Sequence, residues 1–385
     1  MPYRYEKSAV KNGGQWADNR RSNGDVHAVH PWNKKEMHLP DSPIRLASRY
    51  ARRLLLPLLS LLFTATAAQA AQNTTPLPDT VPPGTVLRIG DPKTQRALEL
   101  SGELQKLPFK IEWANISGGP RTIEAFRANA LDLGSVADIP PIHATWTGLP
   151  VSIVAASFRK DPIDHPIYKL GIAPGAKIDS INDLKGKKIA YSPGQAQGAL
   201  VLRILQKAGL TQKDVTLVEM PSTGDVYVSA LASKLVDAAP IAEANQPRYI
   251  ANYGHNGAKV ISHGLRDDPW YIYGLQSVLE NPAKAAAVRE YVKAWARATQ
   301  WIYDHPDQWV QGFYVEHEGL KADAGRYLIQ SAGEPDIPAD WNAVIERQQA
   351  TIDLLAKETS KPRLNAADLF DRRYEFVAAK ALEKP

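Results

Sequence analysis

Short apolar runs, each closed by Gly, Pro or Asp and followed by a helical pattern, recur in two consecutive series along this 385-residue chain. No other feature restricts the fold as strongly. Four or five apolar residues between turn signals read as a buried strand, and strands alternating with helices pack as a parallel sheet. In the first series Val86 to Gly90 is a strand that stops at Gly90-Asp91-Pro92, and a helix with Leu98, Leu100 and Leu104 roughly one turn apart follows. Phe109 to Trp113 alternates as a second strand, and Ser117-Gly118-Gly119-Pro120 turns into a helix with Ile123, Phe126 and Ala130 on one face. Leu131 and Leu133 form a strand that runs into a small-residue turn, after which Asp138 precedes Pro140 and Pro141 as an N-cap precedes a first helical turn. Val151 to Ala155 ends the series as a buried strand.

The second series starts near Ile172. Asn182 to Gly186 is a short helix that delivers the chain to a strand ending at Tyr191, which feeds the loop Ser192 to Gly198. The helix Ala199 to Ala208 stops at Gly209, and strand Val215 to Glu219, helix Ser222 to Ser233 and strand Val236 to Ile241 follow, the last ending against Glu243. Lys259 to Ser262 closes the unit, and Trp270 to Leu275 carries the chain back. The remainder reads as helices over Pro282 to Asp304, Pro306 to Phe313, Leu320 to Ser331, Pro338 to Ala356 and from Ala366. The expected fold class is therefore α/β, with two lobes whose loops face each other at matching strand ends. Open α/β sheets bind ligands there, where helix starts present free N–H groups.

Ahead of this body, Arg45, Arg49, Arg52 and Arg53 lead into the apolar run Leu54 to Phe63, and Ala68-Gln69-Ala70 supplies small residues for signal-peptidase cleavage between Ala70 and Ala71. The run has the length of a signal-peptide core and is short for a bilayer span. Export is thus expected, by general secretion rather than the twin-arginine route, because Leu54-Leu55-Leu56-Pro57 after Arg52-Arg53 matches the latter loosely. Residues Met1 to Glu36 are polar and aperiodic, a disordered leader or an extension upstream of a start at Met37. The Thr- and Pro-rich stretch to residue 85 reads as an extended tether. The division is then 1–36 leader, 37–70 signal peptide, 71–85 linker, 86–172 first part of lobe 1, 173–269 lobe 2 and 270–385 second part of lobe 1.

The formal charge of +5 carries no message about a nucleic-acid partner. Met1 to Ala70 hold eleven Lys and Arg against five Asp and Glu, leaving 35 basic and 36 acidic residues from Ala71 onward. The chain has no cysteine, which excludes disulfides, thiolate metal sites, a cysteine nucleophile and a lipid-modified amino-terminal cysteine. Its nine histidines show no metal-ligand spacing, and neither a nucleophile elbow nor a phosphate or dinucleotide loop is present. No cofactor, metal or catalytic residue is expected. Trp295, Trp301 and Trp309 lie in a helical region and read as packing of lobe 1.

The order Val86 to Gly90, Ser117-Gly118-Gly119-Pro120, Asp132-Leu133-Gly134-Ser135, Asp138 to Pro141, and Asp183-Leu184-Lys185-Gly186-Lys187-Lys188-Ile189-Ala190 resembles the periplasmic solute-binding proteins of ABC transporters, most closely their aliphatic sulfonate, taurine and nitrate branch. The likeness runs from Val86 to the last helix. It implies a type II periplasmic binding fold, two α/β lobes joined by two crossover strands, acting as a monomer that closes on a small organic anion and presents it to an inner-membrane permease. By family position the ligand donors are Lys93 and Thr94, the backbone of Gly118 and Gly119, Ser135 with Asp138, and, from the second lobe, Ser192, Gln195 and Gln197. A sulfonate stays fully charged, so neutral donors at helix starts are able to hold it.

Three departures bear on the ligand. Relatives with a sulfonate site show Gly-Asp-Thr-Pro-Pro, a Ser-Ser pair and Trp-Asp-Pro where this chain has Ala137-Asp138-Ile139-Pro140-Pro141, Gly194-Gln195 and Ala242-Glu243-Ala244. Lost hydroxyls weaken an anion cradle by about 1–3 kcal/mol per unmatched bond. Glu243 reads either as a partner for an amino group on the ligand or as a first-turn carboxylate of a helix. Trp270 and Tyr271 either wall the pocket against an organic tail or pack the crossover. Nitrate or a carboxylate remains open as the anion. The same scaffold also serves an enzyme branch of thiamine-pyrimidine synthesis, against which the export signal argues.

Overall fold

The computed structural model describes residues 75–383, and in it the chain builds two sheets and crosses between them twice. The leader and signal peptide lie outside the described residues. The first pass runs β1 (Val86–Gly90), α1 (Pro92–Ser101), β2 (Lys110–Trp113), α2 (Gly119–Arg127), β3 (Leu133–Val136), α3 (Ile139–Trp146) and β4 (Val151–Arg159). The second runs β5 (Tyr168–Ile172), β6 (Lys188–Tyr191), α4 (Ala196–Lys207), β7 (Thr216–Glu219), α5 (Val226–Ala232), β8 (Ala238–Ala242), α6 (Gln246–Tyr253) and β9 (Lys259–Ile261). The chain then returns as β10 (Trp270–Leu275) and continues through α7 (Gln276–Glu280), α8 (Pro282–Asp304), α9 (Pro306–Trp309), α10 (Ala322–Ala332), β11 (Pro335–Asp336), α11 (Asn342–Thr359) and α12 (Val377–Lys380).

The first sheet has the order β11-β4-β10-β3-β1-β2 and the second β7-β6-β8-β5-β9. β1 is parallel to β2 and β3, as the strand-helix rhythm predicts, but β10 enters between β3 and β4 and runs antiparallel to both. In the second sheet β5 is likewise antiparallel to β8 and β9. Both sheets are therefore mixed, not purely parallel. A strand arriving from the other lobe comes without a helical crossover on its own sheet, so nothing forces it to run with its neighbours. The pairing of β5 also puts the first crossover between Arg159 and Tyr168, ahead of residue 172.

All of β3 and eight of nine residues of β4 are buried, as in strands covered on both faces. α2 seats tightly on β3: a Cβ at Gly134 would stand 2.5 Å from Thr122 Cγ2, so only glycine allows the approach. The core of the first lobe includes Leu87, Ile153, Tyr273, Trp295 and Trp309, with Trp301 packed at its edge. The second lobe has one cluster around Leu231 and Tyr249 and another around Ile189 and Ile204. Ala199 and Leu202 of α4 belong to the first lobe's core instead, so this helix carries the contact between lobes.

Several helices end elsewhere than periodicity suggests. Residues 222–225 form an irregular turn with Gly224 at φ +58, leaving α5 short. The chain widens into a π-helical turn over Val310–Val315, and the segment after Ala366 is two 3-10 turns before α12.

Asp132, at the entrance to β3, ties strands to helix. Its fully buried carboxylate accepts from Arg88 N at 2.9 Å, Arg88 Nη2 at 2.8 Å and Lys284 Nζ at 2.8 Å. Burial pushes its pKa up, but the hydrogen bonds and charges of Arg88 and Lys284 more than offset that, and the net shift is downward. The stabilisation is therefore fully present above the unfolded carboxylate range and is lost as pH falls through the folded pKa. Asp132→Asn is expected to lower urea stability by about 2 kcal/mol at about pH 7. That difference shrinks as pH falls through the folded pKa, as paired denaturation curves will show.

Candidate functional site

A cavity of about 260 Å³ opens at the carboxyl end of β1, where the start of α1, the end of β4, the segment after β8 and the first residue of β10 meet. Asp91 caps α1, accepting from Thr94 N at 3.1 Å and Thr94 Oγ1 at 2.5 Å. Burial pushes the Asp91 carboxyl above its usual range, while hydrogen bonds from Thr94 and Ser135 hold it back. Lys93 extends from the first turn of the same helix. It is solvent-exposed and lines the cavity beside Asp91 and Glu243. Desolvation pulls its pKa below the ordinary lysine value; Glu243 and Asp91 oppose the shift and Arg159 adds to it. Among the described residues Lys93 forms no ion pair.

Arg159 closes β4 and holds Glu243 of the second lobe by two contacts, Nη1 to Oε2 at 3.1 Å and Nη2 to Oε1 at 3.2 Å. It also donates to the carbonyls of His165 at 2.7 Å and Ser331 at 3.1 Å. Glu243 thus lines the cavity as sequence position suggested, but its carboxylate is engaged by Arg159 and is not free for a ligand amine. Trp270, 38% exposed, Trp295 and Tyr303 supply aromatic surface to the wall.

Of the residues singled out in the sequence, Lys93, Thr94, Glu243 and Trp270 come together here. Asp138 and Tyr271 line a different, larger cavity of about 460 Å³ between α4 and α11. Asp138 sits at the N-cap position of α3 without making a cap bond. Its buried carboxylate instead accepts from Arg203 Nη2 of α4 at 2.8 Å and Thr351 Oγ1 of α11 at 3.1 Å. This latch crosses from one lobe to the other. Tyr271 is fully enclosed in the core.

The remaining candidates line neither cavity. Gly118, at φ +84, precedes α2, and Gly119 lets that helix approach α3, since a Cβ there would meet Pro140 Cγ at 2.4 Å. Ser135 is buried inside β3 beside Asp91. Ser192 is buried at the end of β6, with α4 so close that a Cβ on Gly198 would fall 2.1 Å from its carbonyl oxygen. Gln195 accepts from Ser222 Oγ at 2.6 Å within its own lobe, and Gln197 is half-buried in the first turn of α4. The loop before α4 nonetheless meets the first lobe: a Cβ on Gly194 would lie 3.2 Å from the His143 ring of α3. Asp91, Arg159 and Arg203 were missed. Asp91 was visible as a cap before Pro92; the two arginines carry no local signal, because their partners are 84 and 65 residues away. Among the described residues no group of three or more His, Asp or Glu is placed to hold a metal ion.

Two mixed α/β lobes, joined by two crossovers with a charged cavity at the junction, define the class: this is the periplasmic binding protein fold. Solved structures with the same fold include the alkanesulfonate-binding protein SsuA of Xanthomonas axonopodis pv. citri bound to MOPS (TM-score 0.63, 24% identity, 76% of this chain and 99% of that one). The periplasmic aliphatic sulphonate binding protein SsuA of Escherichia coli is similar too (TM-score 0.62, 23% identity, 74% of this chain and 91% of that one). By sequence, residues 111–309 match the model of the family described as NMT1/THI5 like, and the chain belongs to that family. A protein of Escherichia coli K12 named for binding aliphatic sulfonates is 33% identical over 165 residues, 42% of this chain. The alignment spans 48% of that relative's own length.

The latch makes a prediction about the ligand-free protein. Removing one partner of a buried ion pair strands the other charge. Asp138→Ala is expected to cost about 2 kcal/mol of urea stability without any ligand, since Arg203 is 22% exposed and partly rehydrates. A double-mutant cycle with Arg203→Ala is expected to return an interaction energy of about 1–2 kcal/mol; additive effects would mean the contact carries no coupling.

Proposed function

We propose that the protein is the solute-binding component of an ABC importer, working as a periplasmic monomer that closes on an aliphatic sulfonate or a similar small organic anion and hands it to a membrane permease. Lys93 carries this reading. It is a cation without an ion-pair partner among the described residues, at the start of a helix and inside a cavity walled by Trp270, Trp295 and Tyr303. A lysine that lines a cavity without an ion-pair partner leaves its charge available to an anion. The partial positive charge at the start of α1 acts on the same anion, and the aromatic wall takes an apolar tail. A volume of about 260 Å³ suits a short-chain compound. The names of the relatives agree with this ligand class. The Escherichia coli relative is named for binding, which supports binding and release as the task.

The test is calorimetric titration with short alkanesulfonates over a pH series. The sulfonate stays ionised throughout, so any pH dependence belongs to the protein. Because the Lys93 pKa is lowered, affinity is expected to fall as pH rises toward and through that value, below the ordinary lysine range of about 10.4. Lys93→Arg, charged at every pH used, is expected to abolish this decline. Lys93→Ala should weaken binding by about tenfold or more, with unliganded stability unchanged or raised. Equal affinity in wild type and Lys93→Ala would remove Lys93 from the site.

A further inference from the structure

The larger cavity, of about 460 Å³, is not needed for the binding reading above, and its charges do not balance. Four cations, Arg203, Lys207, Arg266 and Arg347, line it against two carboxylates, Asp138 and Asp268. Arg203 is spent on Asp138 and Arg266 on Asp268, at 2.8 and 2.7 Å. Lys207 is satisfied only by the carbonyls of His263 and Gly264, at 3.0 and 2.7 Å, which leave its charge uncompensated. Arg347 has less. Its guanidinium stacks over the Phe158 ring at 4.2 Å, it makes no ion pair among the described residues, and its enclosed Nη1 has no hydrogen-bond partner. Arg266 approaches the same ring at 5.5 Å, so like charges crowd one aromatic side chain. Asp336 acts on both arginines from outside the wall, and cations still outnumber carboxylates.

Unpaired cations collected in a concave site form an attractive field for an anion, and guanidinium groups match clustered oxygens best. We propose that this cavity is a second anion-binding site, taking a small doubly charged oxyanion between Arg347 of α11 and Lys207 of α4. Those helices belong to different lobes. An anion held by both adds a cross-lobe tie beside the Arg203–Asp138 latch, and by linkage it favours the closed arrangement that holds the transported solute. Phe158 and Asp268 line both cavities, which gives the two sites a shared wall.

Calorimetric titration of the mature protein with sodium sulfate and with sodium succinate, at constant ionic strength set by chloride, separates an inorganic source from a dicarboxylate one. Saturable binding of at least one of them is expected. Arg347→Gln and Lys207→Gln should each weaken it by about tenfold, while Lys93→Ala leaves it unchanged. Lys207 is exposed at the end of α4, so its variant keeps the test valid even where Arg347→Gln compromises folding. No saturable heat with either anion, wild-type affinity in Lys207→Gln, or loss of binding in Lys93→Ala would each overturn the proposal. The last result would place the anion in the smaller cavity.

Discussion

The insertion of β10 between β3 and β4 governs the rest of the molecule. A strand that re-enters the middle of a sheet from a second lobe must arrive along one crossover after the chain has left along another, so two strands of the first sheet lead directly into the junction. Their ends at that junction, Arg159 on β4 and Trp270 on β10, are both cavity-lining residues. The pairing that completes the core of the first lobe thereby also builds the wall of the candidate site. Two crossovers of this kind are a hinge, restrained by Ala199 and Leu202 of α4, which pack in the first lobe's core.

Charge decides how the lobes meet. Arg159 with Glu243 and Arg203 with Asp138 are ion pairs that cross between them, each with little exposed surface on both partners. Such pairs add little net stability compared with an apolar replacement, since desolvation offsets most of the attraction. What they supply is a defined partner for each charge and hence a defined approach of the lobes. The cations left over, Lys93 in the smaller cavity and Lys207 and Arg347 in the larger, are then conspicuous: among the described residues none of them forms an ion pair with a carboxylate. Under the proposed function an anion supplies the missing partner, which would connect the electrostatics of the lobe junction to ligand capture.

Much of the fold was legible in the sequence because it is written locally. Val86–Gly90 and Pro282–Asp304 match their expected bounds, since turn residues and periodicity mark both ends. Trp270–Leu275 was also readable as the returning strand, but its direction was not, because alternation of apolar residues looks the same run either way. The site was less legible. Lys93 and Thr94, singled out from their place after β1, line the smaller cavity, whereas Gln195 accepts from Ser222, Asp138 accepts from Arg203, and Ser192 is buried outside both cavities. Short polar side chains at strand ends serve caps, turns and ligands with the same atoms, and only the three-dimensional partner tells these apart. The arginines that set the electrostatics lie within helix and strand patterns that gave no reason to single them out.

A crystal structure of the protein with a short alkanesulfonate tests the central claim most directly. The account predicts closed lobes with the sulfonate oxygens within hydrogen-bond distance of Lys93 Nζ and the alkyl tail against Trp270 and Trp295. A sulfonate bound away from Lys93, or a cavity that stays empty at saturating ligand, would contradict it.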